Sequence, residues 1–360
     1  MMKKAMNDKV FAAMSGGVDS SVTAWLLKEA GYTVTGATMK LYRPACGQDA
    51  GSGSDRDIED ARAVCERLGI PHKMFDFGKA FADCVIRDFA DEYRAGRTPN
   101  PCVVCNKYLK FGALLREAVD SGHDRIATGH FARVGWDASG RYLLKKAADA
   151  AKDQSYMLWR LDQGQLSRTL FPLGGMTKSE VRAIAAGLGL STAHKSDSQD
   201  ICFVPDGDYA GFLIREMGIV PEPGDFVDAD GCVLGRHQGI IHYTVGQRKG
   251  LGIALGQPMF VSSKDALTRR VVLCGGDSPL LWTRTVTLDH LNLIAADRLF
   301  GAVRCEAKLR YRHTAAPATV VQTGKDTAVL TFDEPQRAPA PGQSAVFYDG
   351  ETVIGGGIIS

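Results

Sequence analysis

Ser15-Gly16-Gly17-Val18-Asp19-Ser20-Ser21 is the stretch that decides the fold. The apolar residues 10–14 before it predict a buried strand, and residues 20–30 after it predict a helix that ends at Gly31. Two glycines allow a tight turn with exposed amide groups, and a helix N-terminus adds partial positive charge. Two glycines alone are equally typical of a tight turn with a serine cap. The whole stretch predicts a phosphate-binding loop, although the Gly-Lys-Ser/Thr ending of a Walker loop is absent.

The chain around this loop shows two different patterns. Up to about residue 205, short apolar runs alternate with amphipathic stretches, which predicts an α/β domain with a parallel sheet. Ligands of such sheets bind beyond the carboxyl ends of the strands, where the loops 15–20 and 128–130 lie. Later residues form short alternating strands, with a hairpin turn at residues 349–350. We expect a catalytic domain over 1–205, a small central module over 206–275 and a C-terminal β-barrel over 276–360.

Composition and charge limit the class of protein. The 360 residues are 45% hydrophobic and 23% charged, as in folded globular chains. No run approaches the roughly 18 to 20 apolar residues that span a bilayer, and the start does not resemble a secretory signal, so we expect a cytoplasmic protein without membrane contact. Residues 236–313 hold 12 Lys or Arg against 5 Asp or Glu, although the whole chain carries only +2. This asymmetry suits either a polyanion-binding region or an ordinary solvated basic face.

Eight of the nine cysteines fall into two groups. Most cysteines of a chain this large are buried apolar residues, and we expect that of one group. Its members are Cys65, Cys84, Cys232, Cys274 and Cys305. The second group is Cys102, Cys105 and Cys202, which lie beside unusual loop sequence. A cysteine near a helix start and close to Lys107 and Lys110 is expected to have a favoured thiolate.

The Ser-Gly-Gly-x-Asp-Ser string resembles the signature of the PP-loop ATP pyrophosphatases. Further motifs follow in the order seen in bacterial tRNA-specific 2-thiouridylases, and the resemblance covers nearly the whole chain. They are Gly96-Arg97-Thr98-Pro99-Asn100-Pro101, Cys105-Asn106-Lys107, Ala127-Thr128-Gly129-His130, Lys152-Asp153-Gln154-Ser155-Tyr156, Ile201-Cys202-Phe203, Gly246-Gln247-Arg248-Lys249-Gly250-Leu251-Gly252 and Pro341-Gly342-Gln343-Ser344. The resemblance implies an enzyme that uses ATP and Mg²⁺ to adenylate the C2 oxygen of a tRNA wobble uridine and replaces it with sulfur.

The same resemblance implies roles for the cysteines. Cys105 matches the nucleophile, and Cys202 matches the cysteine that carries a persulfide. A sulfur-relay protein or another persulfide would supply the sulfur, and Cys105 and Cys202 would end as a disulfide. Cys102 departs from the family, which has an aspartate there as general acid or base. Cys102 is therefore an acid–base group or a spectator thiol, or else Cys102, Cys105 and Cys202 hold a [4Fe–4S] cluster.

The resemblance also implies that the central module over 206–275 contacts tRNA, and it implies the remaining binding residues. Those for ATP are Ala13, Met14, Ser15, Gly16, Gly17, Val18, Asp19, Ser20, Met39 and Gly129, with Asp19 a candidate Mg²⁺ ligand. Those for tRNA are Asn100, Pro101, Cys102, His130, Lys152, Asp153, Gln154, Arg310, Tyr311 and Gln343. Residues 308–313 alternate basic with apolar or aromatic side chains, which predicts a strand with its basic residues on one face. A local turn would be needed for both Arg310 and Tyr311 to contact RNA.

Two other functions remain open at this point. The chain is alternatively another PP-loop ligase, acting on a small molecule or a different RNA position. It is otherwise a nucleotide-dependent RNA-binding protein without chemistry. The basic, β-rich second half and the paired cysteines argue against a small-molecule substrate.

Overall fold

A computed structural model describes residues 8–42, 54–190, 192, 195 and 201–360. The chain divides into two compact units. Unit 1 comprises Met1–Val85, Cys102–Gly207 and Glu351–Val353, and unit 2 comprises Ile86–Pro101, Asp208–Gly350 and Ile354–Ser360. The domain boundaries expected from the sequence stay predictions.

Unit 1 is built on a five-stranded parallel sheet. Its strands are β1 (Lys9–Ala13), β2 (Thr33–Lys40), β3 (His72–Asp76), β4 (Arg125–Ala127) and β7 (Thr169–Leu170). Strands β5 (Arg133–Trp136) and β6 (Tyr142–Lys145) form an antiparallel hairpin, in which Lys145 also pairs with Thr352. The order in the sheet is β3-β2-β1-β4-β7. Because the chain runs outward from β1 to β3 and then returns to β4 on the other side of β1, the sheet has a switch point between β1 and β4. Ligands of such sheets bind in the crevice beyond that point.

Helices flank this sheet and begin and end where local signals predict. They are α1 (Val18–Glu29), α2 (Asp55–Leu68), α3 (Gly78–Phe81), α5 (Pro101–Cys105), α6 (Leu114–Asp120), α7 (Gln163–Ser167) and α8 (Lys178–Gly187), with α4 (Arg87–Arg94) in unit 2. Segments Ala82–Ile86 and Asn106–Ala113 are π-helical. The Ser54 side chain accepts a hydrogen bond from the Asp57 amide at the start of α2, and Gly69 ends it with φ +63°.

Unit 2 is mostly β-structure. After α9 (Tyr209–Met217), the strands β8 (Gly224–Val227), β9 (Val233–His237), β10 (Met259–Asp265) and β11 (Arg270–Gly275) form a sheet in the order β10-β11-β8-β9. Then β12 (Trp282–Leu293), β13 (Ala302–Lys308), β14 (Ala316–Gln322), β15 (Ala328–Arg337), β16 (Ser344–Asp349) and β17 (Thr352–Ile359) follow in the order β12-β15-β14-β13-β16-β17. Pairing of β12 with β17 closes this second sheet into a barrel. The predicted fold class is confirmed.

Three local predictions are wrong. Cys84 and Cys232 are exposed, because Cys84 lies on the outer side of a π-helical turn and Cys232 in the turn between β8 and β9, whereas Cys65, Cys274 and Cys305 are buried as expected. The basic run 308–313 is not a strand. It leaves β13 at Lys308 and turns, with the His313 amide donating to the Arg310 carbonyl at 3.0 Å.

Among the helices that the structure describes, none is both long enough and apolar enough to cross a bilayer.

Candidate active site

The loop between β1 and α1 presents backbone amides at the switch point. Gly17 is the N-cap of α1, in extended conformation and without a side-chain hydrogen bond to the first turn. The Ser20 and Ser21 hydroxyls donate back to the Gly17 carbonyl at 3.0 and 2.9 Å, so they tighten the loop and do not cap the helix. The first amides of α1 are thus without a side-chain cap, in the arrangement that binds phosphate at helix N-termini.

Two glycines allow this loop to lie against its neighbours. Gly16 has φ +67°, and a Cβ atom there would be 2.5 Å from the Asp57 carbonyl oxygen in α2. Gly129 follows β4, and a Cβ atom there would be 2.9 Å from the Ser20 amide nitrogen. Both contacts are shorter than side chains tolerate. Glycine at position 16 therefore lets the phosphate loop lie against α2, and glycine at position 129 lets the loop after β4 lie against the first turn of α1.

Gly129→Ala is expected to weaken nucleotide binding about tenfold or more, because the first turn of α1, which holds Asp19 and Ser20, must shift to admit the methyl group. Isothermal titration with ATP measures the effect. Gly187→Ala is the matched control, since no atom lies within 4 Å of its Cβ position. Equal ATP affinity in the Gly129→Ala variant and the parent would show that the close approach is not part of the nucleotide site.

Asp19 is paired with a lysine from a distant helix. The Lys178 ammonium contacts both carboxylate oxygens of Asp19, at 2.7 and 2.8 Å, and its side chain is buried. Lys178 occupies the first turn of α8, where the Thr177 and Glu180 side chains form a capping box. The negative charge of Asp19 in the phosphate loop is therefore neutralised by a fixed cation.

A second lysine ties the loop to the segment that leads toward Cys202. Lys195 contacts Asp57 at 2.7 Å and Asp60 at 2.9 Å, and it donates to the Gly16 carbonyl at 3.1 Å. The Thr192 hydroxyl lies 3.2 Å from the Ser21 hydroxyl. These contacts anchor residues 192 and 195 on the phosphate loop. Residues 196–200 lie outside the described part of the chain.

Cys102 and Cys105 occupy α5, three residues apart and so on one side of the helix. Cys105 is buried and Cys102 is exposed. Burial raises the pKa of the Cys105 thiol to about 11, and the positive charge of Lys110 opposes the rise only in part. The prediction that the thiolate form of Cys105 is favoured is therefore wrong, because burial outweighs the nearby lysine.

This raised pKa predicts a pH-dependent reactivity. Iodoacetamide reacts with thiolates, so Cys105 is expected to resist alkylation near neutral pH and to react faster as the pH rises toward 11. The exposed Cys102 thiol is expected to react first. Peptide mass spectrometry after timed quenching measures both sites. Rapid labelling of Cys105 at neutral pH, with the protein still folded by circular dichroism, would contradict the burial.

Cys202 is half-buried in a turn that its neighbours anchor. The Val204 amide donates to the Ile201 carbonyl at 2.9 Å, and the Phe203 ring packs edge-on against Phe81 with centroids 5.5 Å apart. All three candidate cysteines belong to unit 1, together with the phosphate loop. Within the described ranges, no group of three or more His, Cys, Asp or Glu side chains is arranged to hold a metal ion, so these three cysteines do not form a ready cluster site.

The other predicted residues of unit 1 lie in its loops. Met39 lies near the carboxyl end of β2, and Ala13 and Met14 lie at the end of β1, where the Met14 amide donates to the Ala37 carbonyl. The His130 imidazole forms a 2.7 Å hydrogen bond with the Thr128 hydroxyl. Its ring also lies against the rings of Phe111 and Phe171. Burial first, and then Lys110, lower the pKa of His130 well below its usual range, so its imidazole is neutral.

Residues 152–154 form a turn whose polar groups are partly committed to its shape. Gln154 exchanges two hydrogen bonds with the backbone of Phe131, at 2.8 and 2.9 Å. The Asp153 carboxylate accepts hydrogen bonds from the Ala147 amide and from the Ser155 hydroxyl. These two side chains hold the turn that presents Lys152.

The remaining predicted residues belong to unit 2. The Gln343 amide donates to the carbonyls of Thr98 and Pro99, at 2.9 and 3.1 Å, and so fixes the loop that carries Asn100 and Pro101. Arg310 and Tyr311 occupy the turn after β13, as contact of both with RNA requires. The Lys308 ammonium lies 5.9 Å from the centre of the Tyr311 ring.

Sequence reasoning missed Lys178, Thr192 and Lys195. Their partners lie more than 130 residues away in the sequence, so no local pattern reveals these pairs. The one available signal was the capping box at Thr177, which predicts that α8 begins there and that Lys178 lies in its first turn.

Comparison with known proteins agrees with this architecture. Residues 8–206 match the family described as "tRNA methyl transferase HUP domain", residues 212–275 a PRC-barrel domain and residues 283–359 an aminomethyltransferase β-barrel domain. A tRNA-specific 2-thiouridylase of Lachnoclostridium phytofermentans is 48% identical over 98% of this chain and 99% of its own. One from Clostridioides difficile is 47% identical over 98% of each, and one from Geotalea uraniireducens is 48% identical over all of this chain and 96% of its own.

These relatives are 47% to 48% identical over at least 98% of this chain. The phosphate loop and Cys102, Cys105 and Cys202 lie within the matched residues 8–206. The chain therefore belongs to the family of tRNA-specific 2-thiouridylases.

Proposed function

We propose that this protein uses ATP to replace the C2 oxygen of the wobble uridine in tRNA with sulfur. The proposal rests on one observation: a single compact unit holds Cys102, Cys105 and Cys202 together with a phosphate loop whose following helix, α1, has no side-chain cap. A phosphate loop alone fits any adenylating ligase. Addition of a buried and a half-buried cysteine at such a site favours transfer of sulfur to the activated carbon.

The nucleotide half of the reaction makes a good leaving group. The uridine C2 oxygen attacks the α-phosphate of ATP, the bond between the α and β phosphates breaks, and pyrophosphate leaves. The amides of α1 bind the negative phosphates in this step. Gly16 allows the phosphate loop to lie against α2, and Gly129 allows the loop after β4 to lie against the first turn of α1. The C2 oxygen then carries the adenylyl group, so it can depart as part of AMP when sulfur attacks C2.

The cysteine half supplies the sulfur. A donor protein or small persulfide charges Cys202 as a persulfide, whose outer sulfur attacks C2 as AMP leaves. The Cys105 thiolate then attacks the inner sulfur, the sulfur–sulfur bond to the product breaks, and 2-thiouridine is released with a Cys105–Cys202 disulfide. In the alternative path, the Cys105 thiolate first attacks the inner sulfur of the Cys202 persulfide and releases its outer sulfur as sulfide. This sulfide then attacks C2. Either path ends in the same disulfide, which an external thiol must reduce.

Asp19 is the carboxylate of the loop that would hold a Mg²⁺ ion, because it lies beside the amides that bind the phosphates. Mg²⁺ binds through one or two carboxylates together with phosphate oxygens and water. Lys178 contacts both carboxylate oxygens of Asp19, so it would have to release one of them to the ion. Bound Mg²⁺ would neutralise charge on the departing pyrophosphate. A [4Fe–4S] cluster lacks a preformed ligand set among the described residues, so no step here uses one. Cys102 takes the position of the proton-exchanging group, exposed and on the same side of α5 as Cys105.

Residues from both units support tRNA as the substrate. His130 and Lys152 of unit 1, and Asn100, Arg310 and Tyr311 of unit 2, lie in loops and turns rather than in regular elements. The predicted contacts of Pro101, Cys102, Asp153, Gln154 and Gln343 belong to the same proposal, as does a cytoplasmic location. A neutral His130 suits hydrogen bonding to a base or ribose better than ion pairing with phosphate.

Pyrophosphate release separates this function from its alternatives. Unmodified tRNA with a wobble uridine is expected to stimulate release of pyrophosphate from ATP, and the same tRNA with cytidine at that position is the control. Release without any RNA would indicate a small-molecule ligase. ATP binding without release, for every tRNA tried, would indicate a nucleotide-dependent binding protein.

A further inference from the structure

The glycine-rich loop 246–252 of unit 2 is a sequence motif to which the proposed reaction gives no role. It connects the short helix Ile240–His242 with β10. Gly246, Gly250 and Gly252 have φ values of +88°, +73° and +73°, a conformation that other residues rarely adopt. The loop thus has a shape that the three glycines make possible.

Hydrogen bonds hold this loop rigidly. The Gln247 side chain accepts from the Thr244 amide at 2.9 Å and donates to the Lys249 carbonyl at 3.0 Å. The Gly246 amide donates to the Val261 carbonyl at 2.8 Å, and the Val261 amide donates to the Gln247 carbonyl at 3.0 Å. The loop is therefore fastened to β10 on both sides of Gln247, so little ordering is needed when a ligand binds.

At the tip of this rigid loop, Arg248 and Lys249 are exposed. Their side chains make no hydrogen bond or ion pair with any described residue. Three other basic residues of the same region have partners: Arg236 contacts Asp225 at 3.3 Å, Arg269 contacts Glu222, and Lys264 donates to the Tyr243 carbonyl at 2.6 Å. The positive charge of the loop is thus left available, whereas these three side chains are paired or hydrogen-bonded.

A cavity of about 360 Å³ includes Arg248 in its lining. Gln257 adds a second polar side chain, and Leu251, Ile253, Leu255 and Met259 supply apolar ones. This volume lies near the lower end of the range for small-ligand sites. A cation in a cavity of mixed polar and apolar lining matches a ligand with a phosphate and one planar, weakly polar group.

We propose that this loop and cavity form a second tRNA-binding site, in which Arg248 and Lys249 bind backbone phosphates and the cavity accepts one unstacked base. This inference rests on the proposed tRNA substrate and adds a site outside the reacting unit. RNA fits better than an acidic protein, because residues 236–313 carry 12 Lys or Arg against 5 Asp or Glu and the cavity suits a single base. Contacts of this kind fix the position of the RNA rather than read its sequence.

The test is tRNA binding by fluorescence anisotropy over a series of salt concentrations. The double variant Arg248→Gln/Lys249→Gln is expected to bind at least about tenfold more weakly. Its plot of log affinity against log salt is expected to be shallower by about 1.5, since two phosphate contacts are lost. Leu255→Trp, which fills the cavity, is expected to weaken binding with an unchanged slope. Arg236→Gln is the matched control, because Asp225 already neutralises that charge.

Thermal unfolding of each variant must match that of the parent, so that weaker binding is not a folding defect. Parental affinity and slope in the double variant would overturn the proposal, as would an equal loss in the Arg236→Gln control. Unchanged tRNA affinity in Leu255→Trp would show that the cavity does not bind a base. If the double variant binds tRNA normally but loses thiolation only when a donor protein supplies the sulfur, the loop binds that protein instead. Binding is measured without turnover, so failure of the proposed reaction itself is detected separately, by absent pyrophosphate release in the parent.

Discussion

The Cys105→Ser variant is expected to form no measurable 2-thiouridine, a loss on the order of 10³-fold or more, while it still releases pyrophosphate in the presence of tRNA. Serine is nearly the same size as cysteine, so the buried site in α5 is kept. Serine cannot attack a persulfide sulfur to form a disulfide, so the product cannot be released from Cys202. The adenylating loop does not contain Cys105, and for that reason the nucleotide step survives.

Two variants make this result specific to Cys105. Cys84→Ser changes an exposed cysteine of the same unit and is expected to leave thiolation unchanged. Cys102→Asp introduces the acid that the family carries at this position, and it is expected to keep or raise activity. Wild-type thiolation by Cys105→Ser would remove this residue from the sulfur step. Loss of pyrophosphate release in the same variant would show that it acts earlier, on adenylation.

Lys178→Met is expected to weaken ATP binding about ten- to a hundredfold, the effect of losing one hydrogen bond between charged groups. In the parent, the Lys178 ammonium contacts both oxygens of Asp19, so the carboxylate does not repel the incoming phosphates. Methionine keeps the buried stem of the side chain and removes the charge. Asp19 is then left with an unopposed negative charge inside the phosphate loop. Isothermal titration with ATP measures the change.

Lys79→Met is the control for Lys178. Lys79 also forms an ion pair in unit 1, with Asp83 at 2.6 Å, but its side chain is 90% exposed and the pair lies on the helix surface. ATP affinity is expected to be unchanged in this variant, and Lys178→Arg is expected to restore part of the lost affinity. Parental ATP binding by Lys178→Met would mean that the ion pair only supports the fold, which thermal unfolding would then reveal.

Features that depend on short stretches of sequence could be predicted well. The strand, the two glycines and the following helix specify the phosphate loop within about a dozen residues, and the structure has β1, the loop and α1 in that order. Alternating short strands and the turn at Asp349-Gly350 likewise predicted the closing strands of the barrel. In both cases neighbouring residues carry the whole signal.

Features that depend on distant residues could not be predicted in this way. Lys178 is 159 residues from Asp19, and nothing in either local sequence indicates the pair. The thiol of Cys105 follows the same logic: adjacent lysines suggested a thiolate, but packing by other parts of unit 1 buries the group and raises its pKa. Residues 308–313 show a third case, since an alternating pattern there resembled a strand although the chain turns after Lys308.

The central claim is that this protein transfers sulfur to C2 of a tRNA wobble uridine. The most direct test is nucleoside mass spectrometry on an unmodified wobble-uridine tRNA, incubated without oxygen with the protein, ATP, Mg²⁺ and a small persulfide as sulfur donor. We predict 2-thiouridine in equal amount to the AMP formed, and none when ATP is omitted. Pyrophosphate and AMP without any thiolated nucleoside, under conditions in which a persulfide on Cys202 and a reduced Cys105 are verified, would contradict the claim and leave only an adenylating enzyme.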